Sequence, residues 1–592
     1  MNNKQIARVL ADISALLQLK GESVFKIRAY DRAAETIENL PFQLSDVAAD
    51  TEKLRSIPGF GEAITEKVQE MAATDRLAFY EKLKAEFPEG VLDLMQVPGI
   101  GPKTALKAAQ ELGIKNLDEL EKALESGAFA KLPRIGEKSA ANSLRHLKHR
   151  MSQGDRIPLG EAIPAAERVM AALKAACPGV RNLTYAGSLR RGRETVGDLD
   201  LLCTADDPAA VVAAFASLPF VKDVMGRGET KGSVVIDGGL QVDLRVTDDA
   251  SFGALLLYFT GSQQHGIRLR ERAQKMGLSL NEYGLTDPAT GVMEKFATEE
   301  AVYRRLGLPF IPSEMREDAG EIEAAAQGVL PCPIALEDIK GDLHSHTDWT
   351  DGKASLTEMV AAAKSRGWQY LAITDHSPSQ TVARGLNIEL LREHNEAVRG
   401  LDAKSPGIRL LAGTEMDILP DGSLDYPDDA LAELDVVLGS IHSAMDQGRD
   451  TMTARVIKAM HSPHLDIVAH LTTRLMGRRA PVDLDFDAIC RAAVETGTLL
   501  EINASAERLD LKDTHVRRAG ELGVAFAIST DSHRPSDFLD MRYGVQQARR
   551  GWCERWRVVN TLPFEELRAF LSAPKSERYA LLARMTGAQG RA

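Results

Sequence analysis

Two groups of metal-seeking side chains stand out in this chain, and they differ in chemical type. The first is all carboxylate. In GSLRRGRETVGDLDLLCT (187 to 204), Asp198 and Asp200 lie on an apolar strand, and Asp243 sits in the similarly alternating LQVDLRV. Successive side chains of a strand point to opposite faces, so Asp198 and Asp200 share one face while Leu199 and Leu201 pack behind it. A neighbouring strand can bring Asp243 to the same face. Three carboxylates can hold two Mg2+ ions about 3.5 to 4 Å apart, one activating an attacking hydroxyl and the other a leaving pyrophosphate. That pattern is phosphoryl-transfer machinery.

The second group mixes imidazole with carboxylate. Ten of the thirteen histidines fall between His344 and His533. Seven strand-like runs follow residue 339, and most end in a metal-capable side chain: IKGDLHSH, YLAITDH, RLLAGTEMD, VVLGSIHS, LDIVAH, LLEINAS and AFAISTDSH. His344 and His346 share a strand face, and His376, Glu415, His442, His470, Asp531 and His533 each follow an apolar run. Parallel α/β barrels collect functional side chains from the C-terminal ends of successive strands at one mouth. Mixed His and carboxylate ligands suit Zn2+, Mn2+ or Fe2+ better than Ca2+. His394, His461, His464 and His515 sit in helix-like or loop contexts and are set aside.

The elements that must position these groups follow from length and pattern. At 592 residues the chain is too long for one core, and units of about 100 to 200 residues are expected. Residues 1 to 154 read as helices joined by Gly/Pro turns, split near 85 into two helical domains. SIPGFGEAITEKV (56 to 68), QVPGIGPKTALKA (96 to 108) and KLPRIGEKSAANS (131 to 143) repeat an apolar-Pro-x-x-Gly turn that opens a helix. In such a turn the backbone can approach a phosphate, and the free N–H groups of the first helical turn can bind it. Gly59, Gly61, Gly99 and Gly101 are thus candidates for a sequence-independent grip on nucleic acid; the third copy carries Arg134 at the first glycine position. Residues 155 to 250 read as an α+β unit and 251 to 312 as its helical extension. An acidic stretch with two close prolines, 313 to 338, reads as a linker, and 339 to 575 as alternating strands and helices in a parallel arrangement.

Composition narrows the class further. The net charge of -13 argues against a simple basic sleeve around nucleic acid, although a metal-dependent enzyme concentrates carboxylates whose potential bound cations invert. No apolar run has the length of a membrane span, and the N-terminus has no secretory pattern, so a cytoplasmic protein is expected. Five scattered cysteines without a CxxC pair fit a reducing compartment.

Over the first 312 residues the chain resembles the family X DNA polymerases. Gly187-Ser188, Asp198-x-Asp200, Asp243 and then Tyr258-Phe259-Thr260-Gly261-Ser262 reproduce that family's order and spacing. The resemblance implies a palm with a nucleotide-selecting fingers subdomain at 251 to 312, and Asp198, Asp200 and Asp243 as catalytic. It further implies that Gly187, Ser188, Arg191 and Gly197 hold the triphosphate of a deoxynucleotide, assisted by Arg156. Tyr258, Phe259 and Gly261 would lie against the incoming sugar, and Arg270 would contact the template side. Gly266 stands where family members often place Asn. Lys67 falls at the place of the Schiff-base lysine in the lyase domain of polymerase beta, with Ala63 replacing a neighbouring basic residue.

From 339 onward the chain resembles the polymerase and histidinol phosphatase (PHP) domain, a distorted (β/α)7-type barrel. That resemblance implies three ions, Mn2+ or Zn2+: one held by His344, His346, Glu415 and Asp531, a second by Asp351, His376 and His533, and a third by Glu415, His442 and His470, with Glu415 bridging. The two resemblances together imply a monomeric gap-filling polymerase acting on gapped or primer-template DNA, with Mg2+ at its palm. PHP chemistry is metal-assisted phosphoester hydrolysis, here 3'-5' exonuclease and abasic-site endonuclease activity. Two other readings stand beside this one: the barrel cluster as a structural metal site, and a DNA-end-binding scaffold in which neither site turns over.

Overall fold

The structure is a computed structural model that describes the chain apart from residues 2, 39, 41, 43, 45, 46, 96, 98, 99, 133–135, 137–139, 141–143, 145–155 and 588–592. The chain divides into two compact units: residues 1–156 with 220–226 and 233–241, and the remaining residues 157–219, 227–232 and 242–592.

Helices dominate the N-terminal part of the first unit. Ile6, Leu10, Ile13, Leu16 and Leu17, spaced by three and four residues, put one stripe of the helix Asn3–Lys20 into the core, and all are at most 1% exposed. Two hairpin turns are visible at their helix starts. Gly61 in extended conformation caps Glu62–Thr74, and Gly101 caps Pro102–Glu111, where the proline at the first helical turn has no N–H to leave unpaired. Most of the third repeat, 131 to 143, lies outside the described residues, as does Gly99 of the second.

In the second unit, strand β1 (Arg181–Tyr185) pairs antiparallel with β2 (Leu199–Thr204), which runs parallel to β3 (Gln241–Thr247). Alternation along β3 buries Val242, Leu244 and Val246 and leaves Asp243 and Arg245 half-buried on the other face. The helices Phe252–Thr260 and Gln263–Lys275 follow. Residues 313–338, expected as a linker, are built into the structure. They contain the helix Glu321–Gln327, and Arg316 and Glu321 are fully buried. Arg316 and Arg190 both bind Glu299 (2.6 Å each). Buried charge of this kind persists only with a partner, which is why an acidic stretch with an arginine in it packs here.

The remainder is a seven-stranded parallel sheet in sequential order: β4 (Gly341–Asp342), β5 (Tyr370–Ile373), β6 (Arg409–Asp417), β7 (Val436–Ser440), β8 (Ile467–Val468), β9 (Leu499–Asn503) and β10 (Phe526–Ser529). A parallel bridge between Ser345 and Ser532 brings the two edges together, giving a nearly closed barrel. Its strands are apolar on both faces, as buried parallel strands are. Leu371, Ile373, Leu410 and Ala412 join one core, while Tyr370, Ala372 and Leu411 join another with Phe564, Leu567 and Phe570 of a C-terminal helix. All seven strand-like runs of the sequence are strands of this sheet.

Candidate active sites

The palm site is built by register. Asp200 on β2 and Asp243 on β3 are directly paired, and Asp198 lies one residue before β2. Leu199 and Leu201 are fully buried behind them. Gly187 sits with φ +60°, and a Cβ at that position would collide with the Asp200 carboxylate. Glycine there lets the 187–193 turn approach the acidic face. Asp200 is pushed up to about 7, first by burial and then by the neighbouring Asp198 and Asp243. A cation bound among these carboxylates would offset the burial and the neighbouring charges that push Asp200 up.

The residues expected at the triphosphate differ in what they are free to do. Ser188 lies in the short helix Gly187–Arg190, and Gly197 is exposed. Arg191 is already engaged: its Nη1 donates to the Thr260 carbonyl (2.6 Å) and its Nε to Glu317 (3.1 Å). Tyr258 is exposed and stands edge-on to Phe259, and the Arg245 guanidinium lies over the Phe259 ring at 4.7 Å. Gly261 (φ +70°) ends the first of the two helices, and Arg270 is half-buried on the second. A Cβ on Gly266 would touch only Arg270 Nη1, so packing does not require glycine there. Arg156 closes the N-terminal run of the first unit.

In that first unit Lys67 is half-buried, donates to the Ala63 carbonyl and holds its Nζ 4.8 Å from the Phe79 ring centre. Around Gly61 and Gly101 the Cβ positions face open space, while Gly59 (φ +87°) lies against Arg32.

The barrel mouth is denser and drier. Three groups each bring candidate ligand atoms within 4.8 Å of one another: His344, His346, Glu415 and Asp531; His346, Asp351, His376 and His533; and His376, Glu415 and His442. The first is the set expected from sequence. The second gains His346, and the third contains His376 where His470 was expected. His470 instead places Nε2 2.7 Å from Glu415 Oε1. Glu415 also lies 3.2 to 3.4 Å from His344, His346, His376 and His442, which makes it the hub. Asp351 rather than Asp348 joins the cluster; Asp348 is exposed. His394, set aside from sequence, is on the helix Ile388–Asp402 and bonds Asp375 (3.0 Å).

Two supporting carboxylates were not singled out from sequence. Glu501 on β9 accepts from His344 Nδ1 (2.7 Å) and from the His470 backbone N–H (2.7 Å). Asp417, two residues beyond Glu415 on the same strand face, meets His442 Nδ1 (2.6 Å). Such partners fix an imidazole's tautomer and aim its other nitrogen. The period-two spacing of TEMD and the glutamate inside LLEINAS were the available signals.

The electrostatics fit cations. Burial would raise Glu415, but His344, His376, His442 and His470 outweigh it and hold it well below the carboxylate range. Burial pulls His442 down, yet Glu415 and Asp417 push it up to about 9; His533 likewise reaches about 9 through Asp351 and Asp531. His346 goes the other way, to about 4, through burial beside His533 and His376. The cluster therefore draws positive charge that its histidines supply only by protonation. Divalent ions supply it with neutral imidazoles. Buried Nδ1 atoms of His346, His376 and His470 make no hydrogen bond, nor does Asp351 Oδ1, as suits residues shaped for metal ions.

Comparison with known proteins agrees with this layout. Family models for helix-hairpin-helix domains match residues 1–77 and 91–148, DNA polymerase beta palm 156–252, DNA polymerase beta thumb 255–317 and PHP domain 342–505. The segment read as fingers is thus the one matched by the thumb model. The chain is 30% identical over 236 residues to a probable phosphatase of Thermoanaerobacter sp. (strain X514), covering 37% of this chain and 89% of that protein. A probable phosphatase of Shewanella pealeana is 31% identical over 242 residues, 39% of this chain and 92% of that protein. The DNA polymerase/3'-5' exonuclease PolX of Bacillus subtilis (strain 168) is 38% identical over 573 residues, 96% of this chain and 99% of that protein. With palm, thumb, hairpin and PHP models all matching in order, the chain belongs to the family X DNA polymerases that carry a C-terminal PHP domain.

Proposed function

We propose that the chain is a DNA-directed DNA polymerase that fills short gaps during repair and that its barrel is a 3'-5' exonuclease with abasic-site endonuclease activity. The observation that carries the polymerase half is the in-register pairing of Asp200 with Asp243, with Gly187 against Asp200. In this reading Asp198, Asp200 and Asp243 hold two Mg2+ ions. When bound, the ions neutralise the developing charge at the attacking and leaving oxygens. Ser188, Arg191 and Gly197 then take the triphosphate, with Gly187 leaving room for it. Tyr258 and Phe259 line the sugar, and Gly59, Gly61, Gly99 and Gly101 grip DNA backbone without reading sequence.

At the barrel, Glu415 holds more than one ion, with His344, His346, Asp531, Asp351, His376, His533, His442 and His470 around it. Mn2+ or Zn2+ ions suit that donor set and would polarise a scissile phosphodiester. The hydrogen bonds from Glu501 and Asp417 keep His344 and His442 aimed inward.

A single assay tests both halves. Gapped DNA with Mg2+ or Mn2+ and deoxynucleotides should be extended, and the same primer without nucleotides should be shortened from its 3' end. Shortening without extension would remove the polymerase reading. Extension without shortening would make the barrel cluster a structural metal site.

A further inference from the structure

The turn that follows the Gly-Ser pair is held by a helix from the far end of the chain. Arg550, the last residue of the helix Met541–Arg550, donates from Nη1 to the Arg191 carbonyl (2.7 Å) and to Glu317 (2.9 Å). Its Nε and Nη2 bind Asp513 (2.9 and 2.6 Å). Glu317 in turn receives Arg191 Nε (3.1 Å) and has Arg193 at 4.0 Å. Charges therefore alternate: Arg191, Glu317, Arg550, Asp513. The Arg550 side chain is 2% exposed.

Shape follows charge. Gly192 has φ +67°, and a Cβ on it would run into the Gln546 side chain, so the turn lies directly on this helix. Gln547 Nε2 also reaches the Gly192 carbonyl (3.4 Å). One residue before Arg550, Arg549 binds Glu314 (2.7 Å). The helix follows the last barrel strand, and the turn it holds is the one that carries Ser188 and Arg191.

We propose that Arg550 is a positioning residue for nucleotide addition: the helix Met541–Arg550 presets the 187–193 turn to receive a triphosphate. The inference rests on the reading that Ser188 and Arg191 hold that triphosphate. Without Arg550, Glu317 has only Arg191 and Arg193 to answer its charge, and it draws the Arg191 guanidinium toward itself. The turn then meets the incoming triphosphate in the wrong place. Asp200 and Asp243 keep their places, because β2 and β3 hold them by register, and Asp198 directly precedes β2. The defect should therefore appear in nucleotide KM rather than in kcat.

The test uses the full chain on gapped DNA with Mg2+, measuring KM and kcat for a deoxynucleotide, with 3'-5' cleavage as an internal measure of folding. Arg550→Met should raise KM about tenfold with kcat within about threefold and cleavage unchanged, since it removes the bonds to Glu317, Asp513 and the Arg191 carbonyl and none to β2 or β3. Arg550→Lys should lie between, as an ammonium answers one carboxylate but not both. Glu317→Gln, milder for folding, should raise KM too, and the double variant should fall short of the product of the singles. If Arg550→Met does not fold, Glu317→Gln decides the matter. An unchanged KM in a folded variant overturns the proposal, as does a loss of extension and cleavage in equal proportion. Arg191→Ala separates the two layers. If it leaves KM unchanged, the triphosphate reading fails and the inference with it; if it raises KM while Arg550→Met does not, the inference alone fails.

Discussion

The palm and the barrel both gather acidic side chains for divalent ions, yet they are built oppositely. Asp198 is exposed and Asp200 and Asp243 are half-buried. Glu415 and the imidazoles of His344, His346 and His470 are almost wholly buried and held from behind by Glu501 or each other. The difference teaches what each site waits for. On the proposed function, the palm would be completed by ions that come with a substrate carrying its own phosphates, so a less enclosed acidic face suffices. The barrel's candidate ligands are already preset and desolvated, as suits ions held before a substrate comes.

Removing one residue from each site gives the sharpest contrast. Glu415→Ala should lose more than one metal equivalent per chain and all 3'-5' cleavage, while Mg2+-dependent gap filling persists. Elemental analysis beside the two activity assays checks this, and wild-type metal content in the variant would break the comparison. Asp243→Ala should lower nucleotide addition by about 1000-fold, as expected for a lost ligand in a two-metal site, with cleavage nearly intact. Primer extension under single-turnover conditions measures it; substantial residual addition would unseat the carboxylate triad.

Smaller changes sharpen the contrast. Glu501→Gln touches no ion in this arrangement but frees His344, and it should weaken metal binding by about 10 to 100-fold, read by chelator competition.

The smallest effect concerns Glu299, held between Arg190 and Arg316. Burial would raise Glu299, but Arg316 and Arg190 outweigh it and hold it down to about 2. A depressed carboxylate contributes its stability above the unfolded value, near 4.3, and loses it as pH falls through the folded value. Wild type should therefore exceed Glu299→Gln in Tm by about 5 °C at neutral pH, with the gap closing between pH 4.5 and pH 2 or so. A pH-independent gap would mean that shape rather than charge supports this network.

Much of this was legible in the sequence because strands advertise themselves twice. Asp200 and Asp243 sit in apolar alternation, so register alone brings them together. His344, His376, Glu415 and Asp531 each follow an apolar run, and a parallel barrel has one mouth for such ends. What stayed hidden depends on distance across the chain. Glu501 and His344 are far apart in sequence, and an acidic residue inside an apolar strand looks the same whether it supports a ligand or only itself. Nor does spacing show that His442 and His470 meet one oxygen of Glu415 and His376 the other. The packing of 313 to 338 was missed because acidity and prolines suggest solvent until a buried arginine partner is known.

The order of the barrel strands has a consequence for synthesis. Because β4 to β10 follow one another in both space and sequence, the metal cluster is assembled strand by strand as the chain leaves the ribosome. The palm carboxylates are all present once β3 has emerged. The barrel is incomplete until Asp531 and His533 appear after its last strand, and the helix ending in Arg550 comes later still. A nascent chain thus has β2 and β3 long before it has the last residues of the barrel cluster. Its order of strands thus leaves the hydrolytic centre incomplete until nearly the whole protein exists.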